Sequence, residues 1–164
     1  MQFQKRHRKP NRLKKYDYSQ NGSYFLTICS YERQYLFWEK ESTLYPHKDQ
    51  KLSEIGRIVE SSILNIEKHY QNIRVDNYVI MPNHVHMILT IQRSIDFKMI
   101  CSSATNVSNV INKFKGYASK KAGMTIWQKS YHDHIIRNEK DYLKIWEYID
   151  NNPYRWKEDC LFCL

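Results

Sequence analysis

Apolar positions along the chain repeat in two ways, every second residue or every third to fourth, and the switches between them mark out the elements. Tyr24-Phe25-Leu26-Thr27-Ile28-Cys29 is an aromatic and β-branched run that predicts a strand. Residues 32–50 are mixed and polar, include Pro46, and read as loop. Leu52, Ile55, Val59, Ile63, Ile66 and Tyr70 then recur at helical spacing, with Ser53-Glu54 suited to the helix start. Val75 to Ile80 and His84 to Ile91 are strand-like runs on either side of Met81-Pro82-Asn83, a corner that makes them a hairpin. Val107, Val110, Ile111, Phe114 and Ala118 predict a second helix from about Thr105 to Gly123. Residues 130–137 read as a further strand. Asn138-Glu139-Lys140-Asp141 reads as an N-cap with an acidic first turn, opening a last helix that runs to about Asn151 before Pro153.

The order β-α-β-β-α-β-α predicts an α+β fold: a ferredoxin-like βαββαβ antiparallel sheet with helices on one face, plus a C-terminal helix. Residues 1–22 read as an irregular basic arm ending at the turn pair Asn21-Gly22, and 23–164 as a single domain. No apolar run approaches the ~18–20 residues that cross a bilayer, so no membrane partner is expected. The basic N-terminus has no apolar stretch behind it, unlike a secretory signal, and a cytoplasmic protein is expected. Cysteines 29, 101, 160 and 163 are expected to be reduced thiols. Cys160-Leu161-Phe162-Cys163 has half of a zinc-site spacing but no second pair to match it.

Charge adds the first functional hint. Lys and Arg number 26 against 17 Asp and Glu, a net charge of +9, which points to a polyanionic partner. Lys5, Arg6, Arg8, Lys9, Arg12, Lys14 and Lys15 all precede the first acid, Asp17. A solubilising tail would explain that cluster equally well. The 13 tyrosines and 4 tryptophans tip the balance toward nucleic acid, because aromatic faces stack on unpaired bases while cations track phosphates.

His84 and His86 stand one residue apart on a predicted strand, so both project from the same face. Two such imidazoles reach one cation together once further ligands complete the shell. Alone they read as ordinary strand histidines, and the metal reading needs a partner residue. Phosphodiester cleavage supplies a test, since it combines a divalent ion with an in-line hydroxyl nucleophile. Among the helical tyrosines, Tyr70 has Arg74 one turn on, Tyr117 has Lys121 and Tyr142 has Trp146. Only Tyr148 has a potential metal ligand there, Asn152, whose carboxamide oxygen suits a hard ion such as Mg²⁺ or Mn²⁺. The competing role for Tyr148 is core packing beside Ile145 and Ile149.

Four blocks together resemble a known family. Residues 12–20 with 24–29 resemble the opening of REP-associated tyrosine transposases, in the IS200-like superfamily of HUH single-strand nucleases. Residues 78–86 resemble their His-hydrophobic-His strand, 126–137 the block that follows, and Tyr148-Ile149-Asp150-Asn151-Asn152-Pro153 their nucleophile helix. The resemblance implies a single-strand DNA endonuclease and strand transferase acting on hairpin DNA. Tyr148 would form a 5′-phosphotyrosine link and release a 3′-hydroxyl. His84, His86 and Asn152 match the ligands of Mg²⁺ or Mn²⁺, and His134 matches a recurrent histidine that would support the active site. The basic arm matches a segment that recognises the foot of a REP-type hairpin. The resemblance also implies a monomer rather than a homodimer, and a cytoplasmic, nucleoid-associated location. Two other classes fit part of the pattern: a non-catalytic binder of structured nucleic acid, and a metal-dependent RNA nuclease.

Deletion of residues 1–15 removes seven Lys or Arg side chains. The slope of log affinity for hairpin DNA against log salt should flatten by roughly 0.7–0.9 for each phosphate that the arm neutralises. An unchanged slope in a salt titration would reduce the arm to a passive tail.

Overall fold

β1 (Gly22–Cys29), α1 (Glu54–His69), β2 (Ile73–Ile80), β3 (His84–Ile91), α2 (Val107–Ala122), β4 (His132–Ile136) and α3 (Glu139–Asn151) follow in that order in a computed structural model. It describes residues 16–40, 51–92 and 106–162. The basic arm up to Lys15 and part of the 32–50 loop lie outside the described residues, as do Cys101 and Cys163; Cys29 and Cys160 are free thiols. The strands form one antiparallel sheet in the order β2-β3-β1-β4, the arrangement expected of a ferredoxin-like chain. Among the described residues, no helix is long and apolar enough to cross a membrane.

Alternation along the two central strands assigns the faces. Tyr24, Leu26 and Ile28 of β1 and Val85, Met87, Leu89 and Ile91 of β3 are fully buried in one core with Val59 and Ile63 of α1 and Val110, Ile111 and Phe114 of α2. The intervening residues point the other way, where Ile145 and Ile149 of α3 pack on Ile88 with Phe25, Val79 and Ile136 around them. Every residue of β3 is therefore buried, the signature of a strand covered on both sides. Each large aliphatic side chain so enclosed contributes roughly 1.5–3 kcal/mol.

The helix starts follow the sequence signals. Ser53 accepts from Gly56 N–H at 3.0 Å, Asn106 from Asn109 N–H at 2.9 Å, and Asn138 from Asp141 N–H at 2.9 Å. Leu52, expected in the first turn of α1, lies instead in an extended bridge with Trp38, because the cap at Ser53 begins the helix after it. The fourth strand begins at His132 rather than residue 130. Lys115 Nζ gathers the carbonyls of Gln128, Lys129 and Ser130, which turns that stretch away from the sheet ladder.

A short 3-10 segment, Asn152–Glu158, continues directly from α3. Its anchor is Trp156, fully buried, with the rings of Tyr35, His84 and Phe162 at 5.6, 5.9 and 5.2 Å. This packing brings the chain beyond α3 back over the end of β3.

Gly56 is a close-approach position. A Cβ there would lie 2.1 Å from the Phe37 carbonyl oxygen, which itself accepts from Ser53 N–H at 2.9 Å. Gly56→Ala should lower stability by about 1–3 kcal/mol, read as a lower urea midpoint at unchanged slope. Gly116, exposed in α2 with nothing within 4 Å of its would-be Cβ, is the contrast: Gly116→Ala should raise stability by roughly 0.8–1 kcal/mol. Equal effects of the two substitutions would refute this account of the close approach at α1.

Candidate active site

His84 and His86 lie on the face of β3 that α3 covers, 0% and 3% exposed. Their Nε2 atoms face each other at 2.9 Å. Each ring is oriented from its other nitrogen: His84 Nδ1 meets Asn83 Oδ1 at 2.8 Å, and His86 Nδ1 meets Thr27 Oγ1 at 2.9 Å. Asn83 uses its Nδ2 to donate to the Leu161 carbonyl, so its Oδ1 is the acceptor and His84 Nδ1 carries the proton. The Nε2 of neutral His84 therefore presents a lone pair to the site. The Thr27 hydroxyl serves either tautomer of His86. Phe25 stacks on the His86 ring at 5.2 Å and meets the Tyr148 ring edge-on at 5.9 Å.

Tyr148 reaches this pair from α3. Its hydroxyl stands 3.3 Å from His86 Nε2 and donates to Asp159 Oδ2, also at 3.3 Å, while the ring stays 42% exposed. Asn152, one turn on, keeps helical dihedrals despite Pro153 and is buried. Its Nδ2 donates to the same Asp159 oxygen at 3.2 Å, and its Oδ1 is buried with no hydrogen-bond partner among the described residues. Asp159 is fixed in turn by Leu161 N–H, which donates to Oδ1 at 2.6 Å. The carboxylate Oδ2 lies 3.9 Å from His84 Nε2 and 4.0 Å from His86 Nε2, too far for hydrogen bonds but close enough for strong electrostatic interaction.

Burial governs the titration of these groups. It disfavours the imidazolium form and pushes both histidines below their ordinary value, His84 the more strongly because His86 adds repulsion. Burial also acts against ionised Asp159, but attraction from His86 and His84 and the Leu161 N–H outweigh it and hold the carboxyl well below the usual range. The Tyr148 phenol is pushed up to about 12, first by burial and then by the Asp159 charge.

These residues fit a divalent cation. Two ligand nitrogens on adjacent vertices of a shell with ~2.1 Å bonds stand about 3.0 Å apart, and the two Nε2 atoms are already at 2.9 Å. The ligand atoms of His84, His86 and Asp159 all lie within 4.8 Å of one another. Hydrogen bonds on the outer ring nitrogens hold the inner ones on target, as in metal sites generally. The Asn152 Oδ1 adds an acceptor that the described residues leave unsatisfied.

Of the residues singled out from the sequence, His84, His86, Tyr148 and Asn152 converge here. His134 stands elsewhere: its Nε2 pairs with Asp141 Oδ2 at 2.8 Å, tying β4 to the first turn of α3. The arm residues Lys5, Arg6, Arg8, Lys9, Arg12, Lys14 and Lys15 lie outside the described residues. Asp159 escapes a reading of the sequence because it lies 11 residues beyond Tyr148, past a proline, with no helical spacing to connect them. Its signal is indirect: Trp156, an apolar anchor in an otherwise polar tail.

Comparison with known proteins identifies the family. A family model described as "Transposase IS200 like" matches residues 25–152, a span that includes both histidines, Tyr148 and Asn152. An uncharacterised protein of Haemophilus influenzae is 33% identical over 95% of this chain and 93% of its own length. A REP-associated tyrosine transposase of Escherichia coli is 25% identical, with 78% of this chain and 74% of that one covered. The solved structure of a REP-associated tyrosine transposase bound to a REP hairpin shares the fold, with a TM-score of 0.62 at 22% identity over 88% of this chain and 74% of that chain. The chain belongs to the IS200-like transposase family, with REP-associated tyrosine transposases among its relatives.

Proposed function

We propose that this transposase cuts and rejoins single-stranded DNA at a hairpin, with Tyr148 as the nucleophile. The observation that carries the reading is the meeting of a partly exposed phenol with two buried imidazoles and a carboxylate: Tyr148 Oη is 3.3 Å from both His86 Nε2 and Asp159 Oδ2. Hairpin DNA as the substrate is carried over from the REP-hairpin complex of the related transposase.

In the proposed reaction Tyr148 Oη attacks the scissile phosphorus. The P–O3′ bond breaks, the 3′-oxygen leaves as a hydroxyl, and the 5′-phosphate stays on Tyr148, so the bond energy is kept for rejoining. Asp159 Oδ2 accepts the phenol hydrogen bond and holds Oη toward the histidines. Asn152 Nδ2 steadies that carboxylate, and Phe25 packs against both the His86 and Tyr148 rings. His84, His86 and Asp159, with Asn152 Oδ1 beside them, would hold Mg²⁺ or Mn²⁺, whose charge offsets that of the phosphate oxygens. The basic arm would bind further phosphates.

Tyr148→Phe removes only an oxygen, so the protein should fold and bind hairpin DNA while the SDS-stable adduct on the 5′ side of the cut disappears. Tyr142→Phe, on the same helix, should retain the adduct. Adduct formation by the Tyr148 variant would dismiss this nucleophile, and a non-covalent binder would form no adduct in any variant.

Metal binding offers an assay independent of cleavage. Mn²⁺ affinity, followed by paramagnetic resonance, should fall more than tenfold in His84→Ala and in His86→Ala, because even outer-shell partners of metal ligands are worth ~10–100-fold. A lowered histidine pKa means that the ligating, neutral ring persists to lower pH than in free histidine. Wild-type affinity should therefore hold steady from pH 8 through the ordinary histidine value of about 6.5 and decline only below it. A decline centred at or above 6.5 would contradict burial as the controlling influence.

A further inference from the structure

Beside Tyr148, α3 and the 3-10 segment border a cavity of about 510 Å³. That lies within the ~300–1,000 Å³ typical of sites for small organic groups. Lys144, Glu147, Tyr148 and Asn151 line it from α3, and Arg155 and Glu158 from the segment beyond. The α3 residues recur at spacings of three and four and so share one face of the helix.

The lining does not suit a phosphate. Arg155 Nε already donates to Glu158 Oε2 at 2.8 Å, and Glu147 lines the same cavity as Lys144, leaving no cationic excess to draw a polyanion. It does suit an uncharged, planar group with donors and acceptors along its edge. Glu147 offers a carboxylate acceptor. Asn151 commits its Nδ2 to the Glu147 carbonyl at 3.0 Å, which turns its Oδ1 into a second acceptor, and the Tyr148 ring supplies an aromatic face. Single-stranded DNA carries such a group on every nucleotide. On the reading above, the nucleotide joined to Tyr148 through its 5′-phosphate would lie against α3, which carries Tyr148.

We propose that this cavity receives the base immediately 3′ of the cut, and that Glu147 and Asn151 read its edge. The inference rests on Tyr148 forming the 5′ link described above. Two acceptors favour bases that present an exocyclic amine, namely cytosine, adenine and guanine. Thymine has no exocyclic amine; its single donor, N3–H, is flanked by two carbonyl oxygens that would be repelled by the Glu147 carboxylate and Asn151 Oδ1. Flipped or unpaired bases are commonly read in this way, by edge hydrogen bonds together with aromatic stacking.

The test uses the full chain with Mn²⁺ and hairpin oligonucleotides whose single-stranded foot is fully randomised. Covalent adducts are recovered and sequenced across the cut. Wild-type adducts should under-represent thymine at the first position 3′ of the cut by about tenfold or more, the effect of one good base-edge contact. Glu147→Gln, whose amide can donate to a thymine carbonyl, should restore much of the thymine. Asn151→Ala, on the next turn, should weaken the preference without erasing adduct formation, and melting temperatures confirm that each variant is folded. Adducts with no base preference at that position, or a preference unchanged in both variants, overturn the pocket alone. Absence of adducts from every sequence overturns the strand-transfer reading, and the pocket with it.

Discussion

Burial of β3 on both faces is the constraint on which the rest of the site depends. A strand covered on one side would leave His84 and His86 in water, where they would titrate as ordinary imidazoles and rotate freely. Here α3 and the segment after it close the second face, and the pair is desolvated. Buried polar atoms need partners, and each outer nitrogen has one in Asn83 or Thr27. The inner nitrogens have chiefly each other, the Tyr148 hydroxyl and the Asp159 charge. Desolvation keeps both rings neutral, so their lone pairs compete with few protons for a cation.

The helix that carries Tyr148, α3, is held differently from the two helices of the main core. α3 contributes Ile145 and Ile149 to a small cluster around Ile88, with its partly buried Tyr142 and Trp146 and with Phe25, Val79 and Ile136 at the edge. Polar ties take up the remainder: Asn77 Nδ2 donates to Asp150 Oδ1 at 2.9 Å near its C-terminal end, and His134 pairs with Asp141 at the other. Exposed ties of this kind are screened by solvent and add little to stability. They set the rotation and position of the helix more than its stability. A displacement of α3 would move Tyr148 relative to β3 without disturbing the core beneath the sheet, so the placement of Tyr148 and fold stability rest on largely separate interactions.

Most of the fold is legible in the sequence because it is written in periodicity. The helical spacing from Ile55 to Ile66, the hairpin round Met81-Pro82-Asn83 and the caps at Ser53 and Asn138 all specify local structure through local interactions. The histidine pair and the Tyr148–Asn152 step are legible for the same reason, since both depend on one strand or one helical turn. Asp159 is not. Its position is decided by Trp156 entering a pocket between Tyr35, Trp38 and His84, residues far apart in the chain. The start of β4 falls two residues later than its apolar pattern predicts on similar grounds, because Lys115, on α2, takes the carbonyls that a strand would have used.

Asp159 also links the two halves of the proposed chemistry. A phenol with a pKa of about 12 is protonated at neutral pH and is a weak nucleophile. Part of that resistance comes from burial, which is unaltered unless the helix moves. The remainder comes from the Asp159 carboxylate, whose negative charge opposes a second negative charge 3.3 Å away. A cation held by His84, His86 and Asp159 would offset that negative charge and so favour the ionised phenol. Truncating Asp159 would relieve the repulsion but would also remove the only anionic ligand in the group, along with the acceptor that orients Oη. The Asp159 carboxylate restrains Tyr148 and would supply the negative charge toward a cation that the neutral histidines lack. The proposed nucleophile and the proposed cation site are coupled through this single residue, set by a tryptophan three positions earlier in the chain.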